Sequence, residues 1–292
     1  PSSTFGNKNM ATQVLVLLFP MSIFLLLSER TKSLLTWCLA LLTAITLAYI
    51  IIAGTRAAWL SIIIQILFIT VYLFLRRKKT IQWINWNQNK LAANVFALAI
   101  ILVVINLDPS GDFKNSFIEI SERVVATGSS SDNSSTQRFQ IWNTALKMIY
   151  DAPFFGTGLG SFSQNLGNEG YATWTINNTS RAHNDLLELF VELGIIGVIL
   201  FLSVVISITS SCIKILQEST AQVHLFFLMI FSCLIGSFIN LQFSFPYQMA
   251  VPLLLFGLYT GFIAKYADKV INPIKNFQLM IGNNVKKLFL VI

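Results

Sequence analysis

Apolar residues run along this chain in long blocks separated by polar connections, without the strict alternation of a half-buried strand. Seven blocks, roughly 10–27, 33–53, 57–75, 90–106, 186–211, 222–243 and 248–265, each approach the ~20 residues a helix needs to cross a bilayer. Backbone in hydrocarbon must satisfy its own hydrogen bonds, so every block predicts a helix. Pro20 and Pro252 fall inside blocks and predict kinks, while Gly194 and Gly197 predict close helix contact. One polar stretch, 107–182, is much longer than the others. It holds the flexible run Gly128-Ser-Ser-Ser-Asp-Asn-Ser-Ser135, after which Phe139, Trp142, Leu146, Ile149 and Tyr150 recur at helical spacing. Residues 136–150 therefore predict an amphipathic helix, capped by Ser135 or Thr136, with its apolar face on the membrane surface or on the spans. Pro153 ends it, and Gly156, Gly158 and Gly160 punctuate the turn that follows.

The predicted fold is all-α, a polytopic membrane helix bundle of about seven transmembrane helices with one long external loop containing an amphipathic helix. Four spans occupy 1–106, the loop domain 107–182, three further spans 183–265, and a basic tail 266–292.

Composition agrees with a membrane solvent. Of 292 residues, 54% are hydrophobic and 11% charged, and the mean hydropathy is +0.67. The net charge of +7 is spread over short connections, which is a topology signal and argues against nucleic acid as a partner. Placing the 28–32, 76–90 and 212–221 connections and the tail on one side gathers most of the 20 Lys and Arg residues there. That side is expected to be cytoplasmic. Arg56, the 107–182 loop, His183 and the first residue then face the exterior, and an exterior start without a signal segment is expected if an odd number of spans precedes it. Cys38, Cys212 and Cys233 lie in or beside spans without ligand spacing, and read as small packing residues.

Candidate chemistry collects on the exterior side. Arg56, in Ala53-Gly-Thr-Arg56-Ala-Ala-Trp59, is either a snorkelling interfacial cation or a planar fork for phosphate oxygens. Arg138, expected in the first turn of the loop helix, opposes the helix dipole unless an anion sits at that terminus. His183 is either a histidine satisfied by a backbone carbonyl or a general base towards a hydroxyl. If the following helix already includes His183, a 100° step puts Asp185, Glu188 and Glu192 on the opposite face. If Asn184 is the cap and His183 precedes it, that objection lapses. Glu192, two turns into a span, needs a partner, expected on a neighbouring span. The glycines at 156, 158 and 160 follow a helix rather than a strand and no lysine completes a nucleotide-binding loop. The exterior side has no Asp-x-Asp pair and no His or Cys cluster, so any chemistry is expected to rely on cations rather than a metal.

Four blocks together resemble one family. They are Phe5-Gly-Asn-Lys-Asn9 opening a span; Gly54-Thr-Arg56-Ala-Ala-Trp59; Arg138-Phe-Gln-Ile-Trp142 with Asp151-Ala-Pro153-Phe-Phe-Gly156-Thr-Gly158-Leu-Gly160; and His183-Asn-Asp-Leu-Leu-Glu188 with Glu192-Leu-Gly194-Ile-Ile-Gly197. In this order, over about positions 5 to 262, the chain is similar to the bacterial O-antigen ligase and polymerase superfamily. The resemblance implies a multi-pass protein of the bacterial inner membrane whose long loop is periplasmic. It implies metal-independent, inverting transfer of a glycan from an undecaprenyl-diphosphate carrier to an acceptor hydroxyl, such as a lipid A–core sugar, with no cofactor. His183, Arg56 and Arg138 would be catalytic, the arginines also binding the diphosphate together with Arg181, Gly158 and Gly160. The same motifs are shared by repeat-unit polymerases and protein O-oligosaccharyltransferases. Outside the family, a polytopic transporter would explain the spans but predicts polar residues near their midplanes, and an inactive truncated remnant is the bland alternative.

Overall fold

The computed structural model describes residues 8–28, 33–77, 93, 96, 97, 99, 133–166, 181–219 and 221–271, with side chains left out at 33, 133–137, 221–222 and 268–271. Regular structure among the described residues is helical: α1 (Lys8–Ser28), α2 (Ser33–Ile52), α3 (Arg56–Leu75), α4 (Asn133–Asp151), α5 (Phe162–Leu166), α6 (Asp185–Glu218), α7 (Ala221–Asn240) and α8 (Ala250–Ile271). A 3-10 turn at Pro246–Gln248 precedes α8. Among the described residues, 6 helices, all but α4 and α5, are long and apolar enough to cross a membrane. The protein is a multi-pass helical membrane protein. The span expected at 90–106 falls mostly outside the described residues, as do 107–132 and the tail beyond 271. Within that span Ala93 and Ala97 pack on Leu26, Ala40 and Ala44, and the Phe96 ring meets Trp37 edge-on at 5.1 Å.

α1 and α7 form the centre of the bundle. Leu17 of α1 packs with Leu225, Leu228, Met229 and Cys233 of α7, and Ile69 of α3 and Ile263 of α8 close the same cluster. A buried amide ties this centre together. Gln65 Nε2 on α3 donates to the carbonyls of Val16 on α1 at 3.0 Å and Ser232 on α7 at 3.1 Å. Its approach depends on Gly236, since a Cβ there would meet Gln65 Nε2 at 2.1 Å. Small residues and interhelical hydrogen bonds of this kind replace the hydrophobic effect as the packing force in lipid.

Three hydrogen bonds define one end of the bundle. Thr55 Oγ1, in the α2–α3 turn, donates to Asn9 Oδ1 near the start of α1 at 3.0 Å. Gln13 of α1 donates to Ser244 Oγ in the α7–α8 connection. The Asp185 N–H at the start of α6 donates to the Leu241 carbonyl just past α7 at 2.9 Å. The α1 and α6 N-termini, the α2–α3 turn and the α7–α8 connection therefore share this end.

The long helix α6 contains a break that the apolar pattern did not predict. Gly194 adopts φ 64 and ψ −166, and the surrounding backbone groups are exchanged with the turn after α4. Ile195 N–H donates to the Pro153 carbonyl at 2.9 Å and Ile196 N–H to the Phe154 carbonyl at 3.4 Å. In return the Thr157 and Gly158 N–H groups donate to the carbonyls of Val191 and Glu192, both at 2.9 Å. The close contact expected of Gly194 is real, but its partner is loop backbone rather than a helix: a Cβ would sit 2.3 Å from the Phe154 carbonyl oxygen. Gly156 is the reciprocal case, where a Cβ would lie 2.4 Å from the Glu192 carbonyl. Pro252 does not kink α8 as expected, because the helix starts at Ala250 and leaves Pro252 in the first turn, where a missing N–H costs nothing. α1 is one helix through Pro20.

Gly194→Ala is expected to combine left-handed strain of roughly 1–3 kcal/mol with a backbone clash, and so to lower the midpoint of thermal unfolding in detergent. Gly160→Ala, with φ 76 but open space around the added methyl, is expected to lower it less. Equal midpoints for the two variants would show that the exchange at Gly194 does not hold the loop to the helix.

Candidate functional site

Helix α6 begins at Asp185 because Asn184 caps it: its extended backbone leaves the helix, and its side chain accepts the Leu187 N–H at 3.0 Å. His183 stands immediately before that cap at φ 52, the left-handed region that side chains with a Cβ rarely occupy. Both neighbours are pinned. The Ala182 carbonyl accepts Trp142 Nε1 from α4 at 2.9 Å, and the Ala182 N–H donates to Glu188 Oε2 at 2.8 Å. Beyond the cap, Asp185 accepts the Tyr247 N–H at 2.9 Å. The Phe245 ring packs edge-on against the His183 imidazole at a centroid distance of 5.3 Å.

Glu188 is 1% exposed and both oxygens of its carboxylate are engaged. Besides Ala182 it accepts Arg181 Nη1 at 3.1 Å and Gln248 Nε2 at 2.7 Å. His183 lies outside the helix, so the angular objection to Asp185 and Glu188 as partners lapses. Even so, their hydrogen bonds go to backbone, Arg181 and Gln248, and shape the loop that carries His183. Arg181, 40% exposed, is engaged in this clamp.

Arg138 and His183 are brought together. Burial lowers the imidazole's titration below its ordinary value of 6.5, and the Arg138 guanidinium lowers it further. The dipole argument for Arg138 needs correction. α4 starts at Asn133, upstream of the expected caps Ser135 and Thr136, and places Arg138 in its second turn. Helix-end effects fade within the first turn, so Arg138 acts as a side chain and not as part of a helix-end anion site. Trp142, one turn further on, ties this face to Ala182. The inner face of α4, Ile141, Ala145 and Met148, buries against Phe162, Leu166, Ala182 and Val191; of the face expected to be apolar only Trp142 and Ile149 join this packing, while Phe139, Leu146 and Tyr150 are exposed.

Arg56 is the first residue of α3 and is partly buried at the same end of the bundle. Its turn is braced on both sides. Thr55 spends its hydroxyl on Asn9 rather than on a cap, and Trp59 Nε1 reaches back across the turn to the Ile50 carbonyl at 3.0 Å. The expected partner of Glu192 is also corrected: Oε1 accepts the Phe162 N–H of α5 at 3.2 Å, on the loop and not on a neighbouring span. Gly158, expected to bind substrate, has its N–H committed to the Glu192 carbonyl, while Gly160 is exposed beside it.

Phe245, Tyr247 and Gln248 belong to this corner and were missed. The block 248–265 read Gln248 as the start of a span, whereas the Pro246–Gln248 turn keeps it outside α8. The signal was an aromatic–proline–aromatic–amide sequence in a connection of a few residues. Against known proteins, a family model described as O-antigen ligase matches residues 41–202, more than half of the chain. No curated protein matches it.

His183 is expected to titrate below 6.5 in the folded protein, followed by NMR of the imidazole nitrogens and assigned by loss of the signal in His183→Gln. The unfolded chain binds this proton first, so the native state loses stability as pH falls from 6.5 through the lower folded value. Arg138→Met should raise the titration yet leave it below 6.5, because burial is the larger cause. A midpoint at or above 6.5 in the unsubstituted protein would contradict this environment.

Proposed function

The chain belongs to the O-antigen ligase family, and from that premise we propose that it transfers a glycan from an undecaprenyl-diphosphate carrier to an acceptor hydroxyl at the periplasmic face of the bacterial inner membrane. The acceptor proposed is a sugar of the lipid A core. The observation that carries this reading is the partly buried His183, placed where the Arg138 guanidinium acts on its charge, at the bundle end that also bears Arg56.

The proposed chemistry balances without a metal or cofactor. The acceptor oxygen forms a bond to the anomeric carbon as the bond from that carbon to the diphosphate oxygen breaks, and in-line displacement inverts the configuration. The acceptor proton passes to His183, which is unprotonated at neutral pH because burial and Arg138 both disfavour its cation. Undecaprenyl diphosphate leaves with the bonding electrons. Arg56 and Arg138 hold it and offset the charge that grows on the leaving oxygen, the role in which fixed cations lower a barrier most. Arg181 supports the site through Glu188, and Gly158 through the backbone exchange. The loop is taken to form the unit 107–182 between four preceding spans and three following ones.

The test is restoration of surface glycan in ligase-deficient and, separately, polymerase-deficient hosts by the reading frame containing this chain, with variants expressed to equal levels. Arg56→Ala, Arg138→Ala and His183→Gln are each expected to lose about 100-fold or more in transfer rate. Arg56→Lys should lose most of that as well, since a lysine cannot present the bidentate fork. The acid limb of kcat/KM is expected below pH 6.5, following His183 of the free enzyme. Unchanged glycan banding in all three variants would remove the site assignment, and rescue of only the polymerase-deficient host would reassign the acceptor.

A further inference from the structure

The loop helix α4 carries a second apolar face that no part of the protein covers among the described residues. Ile141, Ala145 and Met148 are buried, yet Phe139, Leu146 and Tyr150 are exposed, at 61%, 55% and 86%. These three lie within a narrow arc of the helix, since steps of seven and four residues at 100° return close to the same angle. The stripe continues past the end of α4 into the turn, where Phe154, Phe155 and Leu159 are 65%, 79% and 79% exposed. Isolated exposed apolar residues are ordinary, but a continuous file of large ones marks an interaction surface.

The backbone exchange says what that surface meets. Phe154 accepts the N–H of Ile196, and Ile196, Ile199 and Leu200 are exposed residues of the span itself. The file of aromatic residues is therefore continuous with a surface that faces lipid. From Ile195 to the end of α6 at Glu218 the helix rises roughly 36 Å at ~1.5 Å per residue. That exceeds the ~30 Å hydrocarbon core, so the break at Gly194 falls at the membrane interface. Aromatic side chains favour this depth, and Lys147, exposed next to Leu146, can extend its amine to headgroup phosphates.

We infer that the stripe Phe139, Leu146 and Tyr150 of α4, with the Phe154, Phe155 and Leu159 turn, inserts into the lipid leaflet at the site end of the bundle. The loop helix lies in the membrane surface, gripped by α6 on one face and by lipid on the other. This docking requires only that α6 spans the bilayer, and it stands whichever glycan is transferred.

Site-directed spin labelling tests it. The protein carrying Cys38→Ser, which leaves only the buried Cys212 and Cys233, is labelled at Tyr150→Cys, Phe155→Cys or Leu159→Cys and reconstituted into phosphatidylethanolamine–phosphatidylglycerol vesicles. Ile199→Cys serves as the lipid reference and free nitroxide in buffer as the water reference. Retained helical circular dichroism qualifies each sample. The expected result is collision with oxygen as frequent as for Ile199→Cys, and collision with a water-soluble nickel chelate about tenfold below the free label, because hydrocarbon excludes the chelate. Nickel collision equal to that of the free label would place the stripe in water. Protection from both oxygen and nickel would assign it to a protein partner or a second copy of the chain. Either outcome overturns the inference.

Discussion

The exchange of backbone hydrogen bonds at Gly194 is the constraint on which the rest of the site depends. Backbone buried in protein, as at Val191, Glu192 and Gly194, cannot leave carbonyls or N–H groups unpaired without a large cost. Here α6 breaks its own ladder, and both orphan sets are taken up by one turn: the carbonyls of Val191 and Glu192 by Thr157 and Gly158, the N–H groups of Ile195 and Ile196 by Pro153 and Phe154. A lost bond of this kind costs about 1–3 kcal/mol in a buried setting, so neither partner is stable in this form alone. The loop is held to the span by main chain. Side-chain variation around it can therefore proceed without releasing α4, and with α4 goes the position of Arg138.

The buried acids follow the same logic. Glu192 caps α5 through the Phe162 N–H, and Glu188 gathers Arg181, Ala182 and Gln248 around one carboxylate. An acid with both oxygens hydrogen-bonded organises the groups around it. Its effect falls on His183, whose φ of 52 is held between Ala182, pinned by Trp142 and Glu188, and Asp185, pinned by Leu241 and Tyr247. Non-glycine backbone in this region persists only where its surroundings over-determine it. Helices α4 and α6 and the α7–α8 connection all contribute to that determination.

Much of this was legible from the one-dimensional pattern. Long apolar blocks dictate membrane helices whatever their neighbours, and Phe139 to Tyr150 announces a helix by period alone. Asn184 as a cap was one of two readings the residues allowed, and the structure selects it. The start of α4 was not legible, since Ser and Thr are caps only when the chain before them is extended, and here the helix already runs from Asn133. The partners of Glu192 and Gly158 were invisible for a different reason. Each is a backbone group on a segment about 30 residues away, and main-chain donors carry no side-chain signature. The grouping of Phe245, Tyr247 and Gln248 with His183 likewise depends on how α7 and α8 pack.

The Arg138 guanidinium near the His183 imidazole has an electrostatic consequence. Without an anion, Arg138 works with burial to keep the proton off His183. A diphosphate bound beside Arg138 cancels that repulsion and adds attraction for the imidazolium, while the desolvation that disfavours the charge persists. Under the proposed reading, donor binding thus makes His183 more basic at the moment an acceptor proton must be taken up. Under the same reading the anion would meet guanidiniums braced on different elements, Arg56 by the Thr55–Asn9 and Trp59–Ile50 bonds and Arg138 by the packing of α4 on α6. Because these supports do not depend on the ligand, the cations need little reorganisation when charge develops on the leaving group. In the proposed reaction, that fixed placement would let cationic side chains stabilise a diphosphate as it departs.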